Sequence, residues 1–419
     1  MEKILSFKNN FWQKTVLQNI FLVLAHLLFF FIVFSIIREW QGKPLLPGSS
    51  ELSLWDAAWY KSIIEKGYSF HLTEQSNAAF FPAFPYFWKL LGLSVKGISL
   101  LNILLFLFSS IALFQFFPAN WKWKLIFLSN PSICFFFIPY TESLFFFFIT
   151  LFLIGLKKER LTLSVTGLFL ACLTRASVLV FIPAFIIMMV YYQDKKKAKH
   201  FLAYLLTIAV GILTVSFIEY YYTGIFFAFT KAQIHWGHKL GIPQFPLTSW
   251  GGSLPLFLDI GAFYGSSIAA IFMGIFFINR VNNRSLIPKE IILAFLYLAG
   301  IAGLLFFTQG GSLNSLNRYA FATPFMYIFL RELFAKDFPA WKYYILIVVL
   351  TLLYALLFFN WRSGSEAKYL LFLMLYILSF YLLLLRGKLQ TLLFWLLLII
   401  NIFIQAYTAA YFFTNEWVG

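Results

Sequence analysis

The sequence predicts an all-α polytopic membrane protein, and three observations carry that prediction. Of 419 residues, 61% are hydrophobic and 11% charged, against about 25% charged in soluble chains. The charge deficit runs the whole length, as apolar stretches approaching the ~20 residues that cross a bilayer. Of the 32 basic residues, against 16 acids, 20 gather in short tracts between those stretches, the pattern that orients a membrane protein, and the other 12 are scattered over longer segments. The formal charge of +16 therefore points to the membrane and not to nucleic acid, since no basic groove or soluble fold accompanies it. A single domain over 1–419 is expected.

Taken in order, spans are read at 16–37, 97–117, 124–139, 142–156, 161–174, 177–192, 200–222, 254–278, 289–308, 319–334, 342–360, 368–385 and 389–413, about thirteen in all. The first is too long for a signal-peptide core. With the N-terminus cytoplasmic, the clusters Lys3, Lys8 and Lys14, then Lys157, Lys158 and Arg160, then Lys195, Lys196, Lys197 and Lys199 all fall in cytoplasmic loops. The long segments 38–96 and 223–253 then lie outside, together with the span-end residues Glu142, Arg175, Arg318 and Glu366. Ionisable residues gathered on one face of a membrane domain mark a place to look for a site.

Within 38–96, Trp55, Ala58, Trp59 and Ile63 recur at helical spacing, which predicts an amphipathic helix over 54–66 lying on the outer membrane surface. Ser53 followed by Asp56 has the form of a capping box, and Gly67 is a natural stop. The run Phe80-Phe81-Pro82-Ala83-Phe84-Pro85 predicts a rigid aromatic turn. Cys134 and Cys172 sit inside apolar runs and read as inert thiols.

The motifs with chemical content are Trp55-Asp56 with Tyr60, Gly67-Tyr68 and the aromatic turn; Asn130-Pro131 with Tyr140-Thr141-Glu142-Ser143; Leu173-Thr174-Arg175; Tyr222-Thr223-Gly224 with Gln233 and Trp236-Gly237; and Arg318-Tyr319 with Pro324. In order and spacing, from Trp55 to Pro324, they resemble the PIG-V-type mannosyltransferases, which add the second mannose of the GPI anchor, and their prokaryotic relatives. That resemblance implies a GT-C-like membrane glycosyltransferase fold. It implies a polyprenyl- or dolichyl-phosphate mannose donor as substrate, without a cofactor, and Asp56 as the family's acidic residue in the first external loop. The chain departs from the family in being compact, rich in Phe and Lys, and free of large lumenal insertions. It therefore looks like a prokaryotic member in a bacterial plasma (inner) membrane, with its active site on the outer face. The acceptor does not transfer with the fold.

Sugar transfer from a lipid phosphate needs a base for the acceptor hydroxyl, and cations around a phosphate that leaves as a stable anion. Asp56 is the expected base; the alternative is a first-turn acid that only complements the helix dipole. Glu142 is either another first-turn acid complementing its helix or a second carboxylate that binds sugar or acceptor hydroxyls or orients an arginine. Arg175 interrupts an apolar stretch, so it either forks a phosphate or forms a structural ion pair, with Glu142 as the candidate partner. Arg318 is the second phosphate candidate. His235 and His238 flank Trp236-Gly237; two ligands without a third are a weak metal signal, and no metal is expected, His235 and Trp236 being read as sugar or acceptor contacts. Trp55, Tyr60, Gln233 and Tyr319 complete the substrate-binding set. The function expected is inverting transfer of a hexose to a glycan or glycolipid acceptor, with membrane lipids as the other partners. A lipid flippase or secondary transporter is the rival, for which paired repeats would be the signature; a non-catalytic scaffold is the third.

Overall fold

The computed structural model describes residues 2–283, 286–335, 345, 349, 353–354, 357, 377–379 and 387–419. The expected spans 342–360 and 368–385 fall mostly outside the described residues, and Glu366 does so entirely. Among the described residues the chain is helical without strands; Thr248 and Ser312 form an isolated bridge.

Six described helices are long and apolar enough to cross a membrane. They are α1 (Glu2–Trp40, with its apolar part from Gln13), α4 (Val95–Phe116), α9 (Lys195–Thr223), α11 (Ser253–Asn283), α12 (Lys289–Thr308) and α15 (Lys388–Phe412). The protein is thus an all-helical, multi-pass membrane protein. Shorter helices fill the bundle: α5 (Trp121–Leu128), α6 (Glu142–Lys157), α7 (Leu161–Cys172), α8 (Phe181–Tyr192), α13 (Leu316–Phe321) and α14 (Pro324–Ala335). Three still shorter ones, α2 (Asp56–Lys66), α3 (Ala83–Leu91) and α10 (Ala228–His235), lie in the long connecting segments.

Several expected spans do not form as single helices, and local chemistry explains each break. The 124–139 stretch ends α5 at Leu128; Asn130 then caps a 3-10 turn, Pro131–Phe137, that meets α6 at 102°. Pro131 cannot continue α5, because it lacks the N–H and its ring clashes with the preceding turn. Gln405 of α15 donates to the carbonyls of Leu128 and Asn130 freed by that break, both at 3.0 Å. The 161–174 and 177–192 stretches give helices of 12 residues each, separated by extended Arg175 and a 3-10 turn. The 319–334 stretch divides before Pro324 into α13 and α14.

The connection between α6 and α7 is close. A Cβ on Gly155 would stand 2.5 Å from the Ser164 backbone nitrogen, so the absence of a side chain lets the two backbones approach, as small residues do in membrane bundles. Because α6 runs from Glu142 to Lys157, its two ends separate acid from base. At the Lys157 end, Lys289 pairs with Glu159 at 2.7 Å and Arg280 donates to the Tyr191 carbonyl. The Glu142 end carries the site described next.

Candidate functional site

Four charged side chains from four separated parts of the chain meet in one buried row. Asp56 is the first residue of α2, Glu142 the first of α6; Arg175 lies in the break after α7, and Arg318 in α13. Arg318 Nη2 donates to Asp56 Oδ2 at 2.6 Å. Its Nε stands 2.5 Å from Glu142 Oε1, and Arg175 Nη1 donates to that same oxygen at 2.6 Å. Two carboxylates and two guanidiniums therefore balance formally. Balance is required here, since Asp56, Glu142, Arg175 and Arg318 are 8%, 0%, 7% and 4% exposed, and an unpaired charge at such depth is very costly.

The breaks in the helices make this meeting possible. Arg175 sits where the backbone is extended (φ −154°, ψ 142°), not in the middle of a continuous span. The Leu173 carbonyl accepts from the Ala83 N–H at 2.9 Å, docking the aromatic turn against the Arg175 segment. Asn102 of α4 donates to the carbonyls of Ile138 and Tyr140, fixing the bend before Glu142.

The start of α2 departs from expectation. The helix begins at Asp56, and Ser53 does not cap it; the Ser53 hydroxyl donates instead to the Ser49 carbonyl. The Tyr140 hydroxyl takes over the capping role, accepting from the Asp56 N–H at 3.2 Å. This frees the Asp56 carboxylate for Arg318. Trp55, immediately before, has φ 54° and ψ −122°, a strained conformation for a bulky residue that persists only when its surroundings impose it. Here Trp250 and Trp417 clamp the indole edge-on, at 5.5 and 5.4 Å between ring centroids. Gly67 does end α2, with φ 78° and the N–H donating to the Ile63 carbonyl.

A cavity of about 740 Å³ opens beside the row and is lined by Asp56, Arg175 and Arg318; typical small-molecule sites span ~300–1,000 Å³. Trp55, Tyr60, Gln233, Trp236 and Tyr319 line it too. Glu142 does not: it lies behind the two arginines and orients both. His235 is also absent from the lining, where His238 stands instead; burial lowers the His238 pKa, favouring a neutral ring. Burial, with Asp56 nearby, raises the Tyr60 pKa and keeps its hydroxyl protonated.

Arg175 and Arg318 are not equivalent. Arg318 is ion-paired to both Asp56 and Glu142, and its Nη1 donates to the Gly419 carbonyl at 3.3 Å; its Nε lies beside Glu142 without making a hydrogen bond among the described residues. Arg175 stacks over the Tyr319 ring at 4.4 Å and keeps Nη2 buried without a hydrogen-bond partner among the described residues. The Trp55 indole N–H is likewise buried and unpartnered. A guest in the cavity thus meets one guanidinium with a donor unspent and one carboxylate held by the other.

Sequence reasoning missed several contributors. Asp259, 0% exposed within α11, accepts from the backbone and side-chain N–H groups of Asn317 at 2.8 and 2.7 Å, fixing the start of α13, which carries Arg318, against α11. An acid inside an apolar span was the available signal. Trp59 joins Phe80 and Trp236 in one aromatic wall. Gln309, Asn314 and Trp417 line the cavity from distant sequence positions, and nothing local marks them. Among the described residues no three His, Cys, Asp or Glu side chains gather as metal ligands. In the comparisons with known proteins, no family model, no curated protein and no solved structure matches the chain.

Proposed function

We propose that the protein is a membrane glycosyltransferase of GT-C type, taking a hexose, mannose by the motif resemblance, from a polyprenyl-phosphate carrier. The observation that carries this reading is the shared lining of one cavity by the Asp56 carboxylate and the Arg175 guanidinium, whose Nη2 is unspent. Together they supply what the chemistry requires: a proton acceptor on one side and a phosphate donor group on the other. The indoles of Trp59 and Trp236, with the Phe80 ring, offer flat faces for a sugar.

In this scheme Asp56 removes the acceptor hydroxyl proton as that oxygen attacks the anomeric carbon. The bond from that carbon to the phosphate oxygen breaks on the opposite face, so the configuration inverts. Arg175 binds the departing phosphate by its free Nη2. Arg318 acts as a positioning group, holding the Asp56 carboxylate in place through their ion pair. Glu142 aligns both arginines.

The test is incubation of purified protein with polyprenyl-phosphate hexoses carrying a labelled sugar, together with a membrane lipid extract. A labelled product whose anomeric configuration is opposite to the donor's is the expected outcome. Retention of configuration would remove the single-displacement mechanism, and no transfer from any such donor would remove the function.

A further inference from the structure

A second cavity, of about 260 Å³, is walled mainly by apolar side chains, among them Phe30 and Phe34 of α1, Ile103 of α4 and Phe412 of α15. No described residue lines both it and the arginine cavity. Leu46, Pro47 and Leu52 roof it from the turn after α1. That roof is latched: Arg38, fully buried, grips both Glu51 oxygens at 2.9 and 3.0 Å and donates through Nε to the Pro44 carbonyl.

Two polar groups enter this apolar cavity, Lys96 and Ser99. They stand three residues apart on α4, hence on one helix face. Ser99 is 6% exposed, and its hydroxyl has no hydrogen-bond partner among the described residues. Lys96 is exposed and makes no ion pair among the described residues. It lies in the first turn of α4, where the helix dipole disfavours a cation. An anion beside it would offset that field.

We infer that this cavity seats one hydrocarbon chain of an anionic glycerolipid from the surrounding membrane. Ser99 donates to its ester carbonyl and Lys96 pairs with its phosphate. The two cavities share no described lining residue, so a lipid seated here and a phosphate at Arg175 occupy separate sites. The roof leads through Leu54 directly to Trp55 and Asp56, so a seated lipid packs against the segment that carries the carboxylate. The inference needs the membrane setting and not the transferase reading, and its test reads lipid binding without any turnover.

The test is native mass spectrometry of the full chain in detergent, titrated with phosphatidylglycerol or with phosphatidylcholine bearing the same acyl chains. One retained phosphatidylglycerol is expected, held about ten-fold more tightly than phosphatidylcholine; a preference of that size equals about 1.4 kcal/mol. Lys96→Glu should abolish the preference, Ser99→Ala should weaken retention, and Ile103→Trp should fill the cavity and remove the adduct. Lys89→Glu, at the exposed end of α3, should change nothing. Should Ile103→Trp fail to fold, as judged by size-exclusion and thermal unfolding, the surface variant Lys96→Glu still decides. Equal retention of the two lipids, or an unchanged preference in Lys96→Glu, would overturn the inference. So would displacement of phosphatidylglycerol by polyprenyl phosphate at equal affinity, which would hand the cavity to the carrier.

Discussion

Substituting Glu142 by Gln tests the charge row directly. Glu142 is 0% exposed, and its Oε1 serves Arg175 at 2.6 Å and Arg318 at 2.5 Å. The amide keeps the shape and one acceptor but removes one of two negative charges, leaving two buried guanidiniums with Asp56 alone. Breaking a buried ion pair costs about 3–5 kcal/mol; with the amide oxygen still accepting, the lower end, about 3 kcal/mol, is expected. Removing Arg175 as well, in Glu142→Gln with Arg175→Met, restores formal neutrality. The double variant should then be less destabilised than the sum of the singles by about 2 kcal/mol, a coupling within the range for groups in contact. Equilibrium unfolding in mixed micelles of dodecyl maltoside and sodium dodecyl sulfate, followed by tryptophan fluorescence, measures all three. A single-variant cost below about 1 kcal/mol, or strict additivity in the double, would refute the idea that one carboxylate neutralises two arginines.

Other outcomes follow from the same geometry. Arg175→Lys keeps a charge for Glu142 but loses the fork, so donor KM should rise about ten-fold with folding intact, and an unchanged KM would end the phosphate role. The Glu51 carboxyl, although partly buried, is held below its usual pKa of 4.5 by Arg38 and the Gly48 N–H. Its contribution to the latch is present above the unfolded value and lost as pH falls through the folded one. Protease cleavage within 41–53 should therefore accelerate below about pH 4.5, and a rate independent of pH would contradict this. Cysteine introduced at His71 should react with an impermeant maleimide from the non-cytoplasmic side; labelling from the cytoplasmic side alone would invert the assigned orientation.

Much of the site was legible because its chemistry conflicts with its setting. Asp56, Glu142, Arg175 and Arg318 are ionisable residues flanking apolar runs, and such residues need partners. The structure brings all four together, including the Arg175–Glu142 pair that was one of two readings for Arg175. The role of Arg318 was less legible: nothing in Arg318-Tyr319 shows that its guanidinium pairs with Asp56 and Glu142 and donates to a carbonyl, since those partners lie up to 262 residues away in sequence. The Ser53 capping box failed for a similar reason. A local motif competes with tertiary groups, and the Tyr140 hydroxyl 84 residues on won the Asp56 N–H.

The span count shows where hydropathy stops. Apolar runs at 124–139, 161–174 and 177–192 have the composition of spans, but Asn130-Pro131 breaks the first, and the other two, on either side of Arg175, form helices of 12 residues each, too short to cross alone. Such irregular backbone is tolerated at membrane depth only where protein buries it or water reaches it. Both breaks meet that condition, the first by Gln405 satisfying the freed carbonyls and the second by opening onto the cavity.

The most direct measurement compares wild type with Asp56→Asn in transfer of labelled hexose from a polyprenyl-phosphate carrier into membrane lipid extract, at matched folding. The account predicts product from the wild type and a rate lower by at least about 100-fold in the variant, the minimum expected when a general base is removed. Equal transfer by the two proteins would contradict it.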